Sequence, residues 1–256
     1  MISAMIDLQI NDHVASVILN REPVNALNKE LLDGLDSVLD QIENSPEVSI
    51  VHIRSNQKAF CAGADLAMMK ELLQTSEGKD EMIAFVRRIQ QVLFRLERLG
   101  AVSVAEIGRA ALGGGLELAL ACDLRVASAT VKLGLPEANL GLLPAAGGTQ
   151  RLTRLCGEPV ARRLILGAEV ITGAEAVSLG VVQWCVPPDQ LQQWTLDLVN
   201  RLGSLPVHAL AACKRCIAAA IDGNDDGYEL ELSETRKLHD IPESQQRIQA
   251  FLNKSL

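Results

Sequence analysis

No stretch of this sequence reaches the ~20 consecutive apolar residues of a membrane-spanning helix, although 48% of its 256 positions are apolar. Basic residues are in deficit: 24 lysines and arginines face 32 acids, for a formal net charge of −8. That balance argues against nucleic acid or an anionic membrane as the main partner. An anionic substrate therefore needs a local basic pocket. The opening MISAMIDLQINDH carries early acids and no basic n-region, so no signal peptide is expected. The six cysteines show no disulfide-framework spacing, which reads as reduced thiols and a cytoplasmic protein. The four histidines, His13, His52, His208 and His239, are scattered without metal-ligand spacing, and no metal is expected. A dinucleotide fingerprint and a P-loop are both missing, since neither G-x-G-x-x-G nor a Gly-Lys-Ser/Thr run occurs at the glycine-rich stretch.

The chain offers an α/β pattern. Ile6, Leu8 and Ile10 alternate with polar residues, and Val14 to Leu19 follows a turn at Asn11-Asp12-His13, which predicts two strands. Asn28 is placed to cap a helix whose apolar residues Leu31, Leu32, Leu35, Val38, Leu39 and Ile42 recur at helical spacing. Strands are predicted at 48–53, 102–107, 124–127 and 181–186. Helices are predicted at 66–75 and 80–99, with Gly78 as a mobile connection, and at 114–121, 149–155 and 158–166. Thr172 and Glu175 read as a capping box, and four more helices fill 189–203, 206–221, 225–239 and 242–253. Strands dominate the first half and helices the last third.

Residues 111–137, ALGGGLELALACDLRVASATVKLGLPE, hold the parts of a reactive site. Gly113-Gly114-Gly115 stands between a strand and a short helix. A helix start leaves N–H groups unpaired and carries partial positive charge, and glycine lets a ligand approach that backbone. Such donors suit a carbonyl oxygen that turns negative during reaction; a glycine turn made for tight packing is the plainer alternative. Glu117 lies among leucines, where an unpaired charge is costly if buried, unless it sits on a solvated face. Glu137 follows Pro136 and is either an ordinary loop acid or the second member of a proton-transfer pair. The segment Phe60-Cys61-Ala62-Gly63-Ala64-Asp65-Leu66 offers another bare N–H at a helix start, or else a plain strand–helix turn.

Four ordered blocks carry a resemblance over nearly the whole chain. Asn20-Arg21 with Asn25-Ala26-Leu27-Asn28, FCAGADL at 60–66, ALGGGLELALACDLRVAS at 111–128 and LPEANLGLLPAAGGTQRL at 135–152 resemble the enoyl-CoA hydratase/isomerase (crotonase) family. The resemblance implies an α/β spiral of strand–strand–helix repeats with a helical C-terminal trimerisation region. Residues 1–200 would be the spiral core with the acyl-CoA site, and 201–256 the oligomerisation segment of a homotrimer or a hexamer of paired trimers. It implies that the N–H groups of Ala64 and Gly114 bind a thioester oxygen and that Glu117 and Glu137 are the catalytic acids. Arg21, Val24, Ala26, Ala62, Asp65, Leu66, Leu112, Gly113 and Pro136 would line the acyl-CoA site. Since both acids are present, the implied activity is hydration of a trans-2-enoyl-CoA with no metal or redox cofactor. Other acyl-CoA reactions of the family stay open: methylglutaconyl-CoA hydration, double-bond isomerisation and thioester hydrolysis. So does a non-catalytic acyl-CoA- or RNA-binding role, against which the acid pair and the charge argue.

Several residues depart from that pattern or stand outside it. Glu106 occupies a position that is apolar in the family, and Ala67 stands where some hydratases carry a phosphate-holding lysine, which leaves Arg21 or another base for the CoA phosphates. Ala145 stands where the family often has glycine near the water, and its backbone N–H survives that change. Met68, Met69, Leu72 and Leu73 suggest an adaptable acyl wall. Cys213 and Cys216 form a C-x-x-C on a predicted helix with no partner pair, so no metal or redox use is expected. Cys61 lacks a neighbouring histidine, and no nucleophilic role is expected. Arg87-Arg88 reads as a solvated face, Trp184 and Trp194 as core or interface, and Asp123 as a structural cap or pairing residue.

Overall fold

A computed structural model describes residues 5–223 and 226–254. The first four residues of the stretch read above as lacking a signal peptide, and the expected helix start at 225, lie outside the described residues. Strands β1 (Ile6–Asn11) and β2 (Val14–Leu19) form an antiparallel hairpin. Four strands then add in parallel: β3 (Ile50–Ser55), β4 (Val102–Ile107), β6 (Leu124–Ser128) and β9 (Trp184–Val186), in the order β1-β2-β3-β4-β6-β9.

Beside this sheet runs a second, shorter ladder that periodicity did not reveal. It contains β5 (Ala111–Leu112), β7 (Lys132–Gly134) and β8 (Val170–Thr172), with β5 and β7 parallel. Single parallel bridges from Leu27 to Ala64 and from Cys61 to Ala111 extend it backwards. Each turn of the chain therefore places one long strand in the first sheet and one or a few residues in the second. A helix follows: α1 (Lys29–Glu43), α2 (Leu66–Leu72) with α3 (Ser76–Glu97), α4 (Gly114–Leu120), and α5 (Gly148–Leu166). This is the strand–strand–helix repeat expected of the family fold. Two or three residues are too few to leave an alternating pattern, which is why β5, β7 and β8 were missed.

Capping chemistry sets the helix starts. Asn28 accepts from the Leu31 N–H, Asp65 from Ala67 and Met68, and Thr75 from Gly78. Thr172 and Glu175 make the reciprocal capping box of α6 (Gly173–Ser178). Gly78 corrects the sequence reading. It lies in the first turn of α3, buried, where a Cβ would fall 2.0 Å from Leu72 O; it permits close packing of α2 against α3 and is not a connection between helices. Two strand boundaries also shift: β3 starts at Ile50, and β9 is confined to 184–186, with Val181 and Val182 buried ahead of it. Within α5, Gly157 (φ 78°) breaks the helix where two helices were expected.

The main core lies between the sheet and helices α1, α3 and α4, built on Leu31, Leu35, Phe60, Leu93, Ile107, Leu116 and their neighbours. A second apolar layer, Ile50, Val104, Val126 and Val186 with Leu191, Leu198 and Val199, is covered by α7 (Leu191–Gly203). Trp184 and Trp194 pack there at 5.4 Å between ring centroids. Glu106 belongs to this side of the sheet, and His52, 1% exposed on the neighbouring strand, approaches it through Nε2 at 3.0 Å. The acid is thus tolerated among apolar strands because it is paired.

The chain ends in α8 (Val207–Asp222), α9 (Gly227–His239) and α10 (Pro242–Lys254). Lys214 of α8 docks this region to the core, donating to Asp123 at 2.7 Å and to Ala101 O at 3.1 Å, while Asp123 also accepts from Ser103. Asp123 is accordingly a pairing residue. Large apolar side chains face outward on all three helices: Ile217, Ile221, Tyr228, Leu232, Ile248, Phe251 and Leu252.

Candidate active site

Three consecutive glycines have different tasks. Gly113 precedes α4 at φ 54°, a left-handed conformation that L side chains rarely adopt. Gly115 packs so closely that a Cβ would lie 1.9 Å from Cys61 O, so the plain packing role holds for that residue. Gly114 between them begins the helix. Its vacant Cβ position is 3.8 Å from the Ala64 nitrogen and 3.5 Å from Gly63 Cα, which brings the two segments expected to supply N–H donors side by side.

The 61–65 segment is pinned on both sides. Leu27 N–H donates to Gly63 O at 2.7 Å, Asp65 N–H to Leu27 O at 3.0 Å, and Leu112 N–H to Cys61 O at 3.1 Å. Gly113 N–H is taken by Gly134 O at 2.9 Å. Among the described residues, the N–H groups of Ala64 and Gly114 have no backbone acceptor. One sits next to the start of α2 and the other at the start of α4, where helix dipoles favour negative charge.

Glu117, one turn into α4, is 3% exposed. The solvated-face alternative therefore fails: the side chain points inward and accepts the Gly148 N–H at Oε1, at 2.7 Å. The Ala146 N–H also favours the ionised carboxyl. Burial, aided by the charge of Glu137, raises its pKa to about 7 against the opposing Gly148 and Ala146 N–H groups and Arg151.

Glu137 stands in a 3-10 turn, Pro136–Leu140, with Pro136 as its first residue and Gly141 closing it at φ 71°. The carboxyl is half-buried, its pKa is raised by burial, and its Oε2 is enclosed without a protein partner. The other oxygen lies 3.0 Å from where a Gly113 Cβ would be. Glycine at 113 thus leaves room for the carboxyl against the backbone that precedes α4. Two carboxyls from different turns of the spiral and two bare N–H groups converge on one place.

The remaining expected residues surround it in two ways. Leu112, Gly113 and Pro136 belong to the glycine side. Arg21, Val24, Ala26, Ala62, Asp65 and Leu66 form the other: Ala62 N–H donates to Val24 O at 3.0 Å, and Leu66 is 69% exposed. Arg21 is committed, with Nη1 to Ala26 O at 2.9 Å and Nη2 to Asp65 at 2.5 Å. Burial alone would raise the Asp65 pKa, but Arg21 and the N–H groups of Met68 and Ala67 outweigh it and hold the carboxyl below its usual range. Arg21 therefore shapes the 62–66 wall rather than offering a free guanidinium. Met68 and Met69 are half-buried and Leu73 is exposed on the α2 side. Burial pushes the Cys61 thiol up to about 12, so it is uncharged beside Glu117.

Two structural residues carried no assigned role in the sequence reading. Asn25, fully buried at φ 52°, donates to Ser55 Oγ and to the carbonyls of Ala59 and Phe60, tying the first spiral turn to the N–H-bearing segment of the second. Arg151, within the GGTQRL block, reaches back to Glu97 and Ala146. Its position after paired glycines was visible; its partners are distant in sequence and were not.

Comparison with known proteins agrees with this geometry. The model of the family described as enoyl-CoA hydratase/isomerase matches residues 9–255. A short-chain-enoyl-CoA hydratase of Clostridium acetobutylicum is 38% identical over 212 residues, 82% of this chain and 79% of that protein. The mitochondrial methylglutaconyl-CoA hydratase of Mus musculus is 40% identical over 167 residues, 65% of this chain and 52% of that protein. The crystal structure of an enoyl-CoA hydratase from Bacillus anthracis superposes with a TM-score of 0.90 at 33% identity, covering 98% of this chain and 96% of that one. With its spiral of strand–strand–helix repeats, its paired N–H donors and its two inward carboxyls, the chain belongs to the enoyl-CoA hydratase/isomerase family.

Proposed function

We propose that the protein is an enoyl-CoA hydratase, adding water reversibly across the 2,3 double bond of a trans-2-enoyl-CoA to give a 3-hydroxyacyl-CoA. The observation that carries this reading is the convergence of Glu117 and Glu137 on the Ala64 and Gly114 N–H groups. The thioester oxygen takes both N–H groups, which stabilise the negative charge it gains as water adds to the β-carbon. Glu117 accepts the water proton. The Gly148 bond favours its ionised form, and a pKa of about 7 suits a base working near neutrality. Glu137, whose Oε2 has no donor to hold it ionised, delivers a proton to the α-carbon. Base, acid and oxyanion donors are all protein groups, so the reaction as proposed uses no metal or redox cofactor.

Loss of the enoyl absorbance of crotonyl-CoA tests the proposal. Turnover supports it. Failure to hydrate every member of a panel of short, medium and branched enoyl-CoAs overturns it, and RNA binding at physiological salt would then favour a binding role. A second reading is hydration of a branched substrate of the methylglutaconyl-CoA type, favoured by the similarity to the enzyme of that name. The same panel separates the two by kcat/KM.

The proposal includes a homotrimer assembled through α8, α9 and α10, whose outward Ile217, Leu232 and Phe251 would be covered by neighbouring copies. It also includes a cytoplasmic location, resting on six cysteines that lack a disulfide-framework spacing.

A further inference from the structure

Helices α3 and α5 meet behind Glu117 through one guanidinium. Arg151 is 7% exposed. Its Nε and Nη2 donate to Glu97 Oε2 at 3.1 and 2.8 Å, and its Nη1 donates to Ala146 O at 3.0 Å. Two turns earlier on the same face of α3, Gln90 Nε2 donates to Ala145 O at 2.5 Å. The turn at 145–148 is thus gripped from outside at two successive carbonyls, while its N–H groups at 146 and 148 address Glu117 on the inside.

Peptide planarity couples the two sides. The carbonyl of Ala145 and the N–H of Ala146 share one trans peptide plane and point in opposite directions. Gln90, holding that oxygen toward α3, therefore turns the Ala146 N–H inward, and Arg151 fixes the next carbonyl, Ala146 O, one residue before Gly147 and the Gly148 N–H that donates to the carboxyl. Arg151 also lies across Gly147, where a Cβ would meet Nη1 at 2.2 Å, and Gly147 adopts φ 106°. The charged and titratable groups that face Glu117 are few: Glu137 from the 3-10 turn, the neutral thiol of Cys61, and Arg151 from α5, itself partly neutralised by Glu97.

We propose that Arg151, braced by Glu97, is a positioning residue for Glu117: it holds the turn whose Gly148 N–H donates to the carboxyl. The consequence for turnover rests on the hydratase reading; the effect on titration does not.

The two members of the pair should act with opposite sign. Arg151→Gln removes the nearby positive charge, which lowers the Glu117 pKa, and so raises the Glu117 midpoint. Glu97→Gln leaves Arg151 without its counter-charge and lowers that midpoint. Arg151→Lys keeps the charge, but one ammonium cannot span Ala146 O and both Glu97 contacts, so the midpoint moves less than in Arg151→Gln while kcat falls about tenfold. Infrared titration of the free enzyme reads the midpoint, with the protonated-carboxyl band assigned by its absence in Glu117→Gln. The acid limb of kcat/KM for crotonyl-CoA provides the kinetic counterpart. Unmoved midpoints, or shifts of one sign in both neutral variants, overturn the proposal, since a purely structural role predicts lost activity without opposed titration shifts. If Arg151→Gln does not fold, Glu97→Gln at its partly exposed position still decides: a midpoint that rises or stays fixed refutes the assignment. If the wild-type protein hydrates no enoyl-CoA while the midpoints shift as stated, the hydratase reading falls and the positioning role stands.

Discussion

The Gly148 N–H donates to Glu117 Oε1 at 2.7 Å, so the first residue of α5 caps its own helix start with a carboxyl from α4. That bond satisfies an N–H left open at a helix N-terminus. It also keeps a buried acid from being unpaired. The same carboxyl is thereby structural and, on the reading above, catalytic.

Replacing either acid should separate these roles. Glu117→Gln and Glu137→Gln are each expected to lower kcat for crotonyl-CoA by about 10²–10⁴-fold, the usual worth of a general acid or base. Circular dichroism and subunit assembly should remain those of the wild type. Wild-type rates in both variants would remove the acids from the mechanism.

The buried Glu117 should make stability depend on pH in a particular direction. Its folded pKa is raised from 4.5 to about 7. A carboxyl whose folded pKa lies above its unfolded value binds more protons when folded, so its favourable contribution is present below about pH 4.5 and is lost as pH rises through about 7. Glu117→Gln abolishes that dependence. The stability of the variant relative to wild type should therefore increase between pH 5 and pH 8, by up to about 3 kcal/mol, measured by urea unfolding at each pH. A relative stability independent of pH would contradict the shifted pKa.

Gly115→Ala tests the packing of α4 on the 61–65 segment. The new methyl would fall 1.9 Å from the backbone oxygen of Cys61, which cannot move aside as a flexible side chain could. Forced backbone displacement of this kind costs about 1–3 kcal/mol. It also separates the Ala64 and Gly114 donors, so activity should fall further than stability. Equilibrium unfolding together with crotonyl-CoA turnover measures both.

The outward apolar residues of the last three helices predict an assembly that charge can break. Leu232→Glu should shift the protein toward monomer in sedimentation velocity, because Leu232 is 65% exposed and the substitution disturbs little packing within the chain. Unchanged sedimentation of an oligomer would place the interface elsewhere.

Local chemistry made much of the fold readable. Asn28 and Thr172 cap helices through their own side chains, as their positions in the sequence suggest, and α1 shows its buried face at regular helical spacing. The short ladder was not readable, because Leu27, Cys61 and Ala64 each join it by a single bridge that no periodic pattern marks. Gly78 was misread for a related reason: glycine looks the same in sequence whether it frees a hinge or admits the backbone of Leu72.

The site divides along the same line. Sequence alone determined the inventory, namely three glycines before a helix, two acids in apolar settings and a second small-residue break, because these residue types and their order are local properties. Tertiary structure decided what each one does. Whether Glu117 faced water or the interior, whether Arg21 was free or held by Asp65, how Glu106 was tolerated beside His52, and that Arg151 grips the turn beside Glu117 all depend on segments brought together by the spiral. Burial and pairing arise between elements far apart in the chain. They set the charge state and orientation of a carboxyl, and no neighbouring residue in sequence records them.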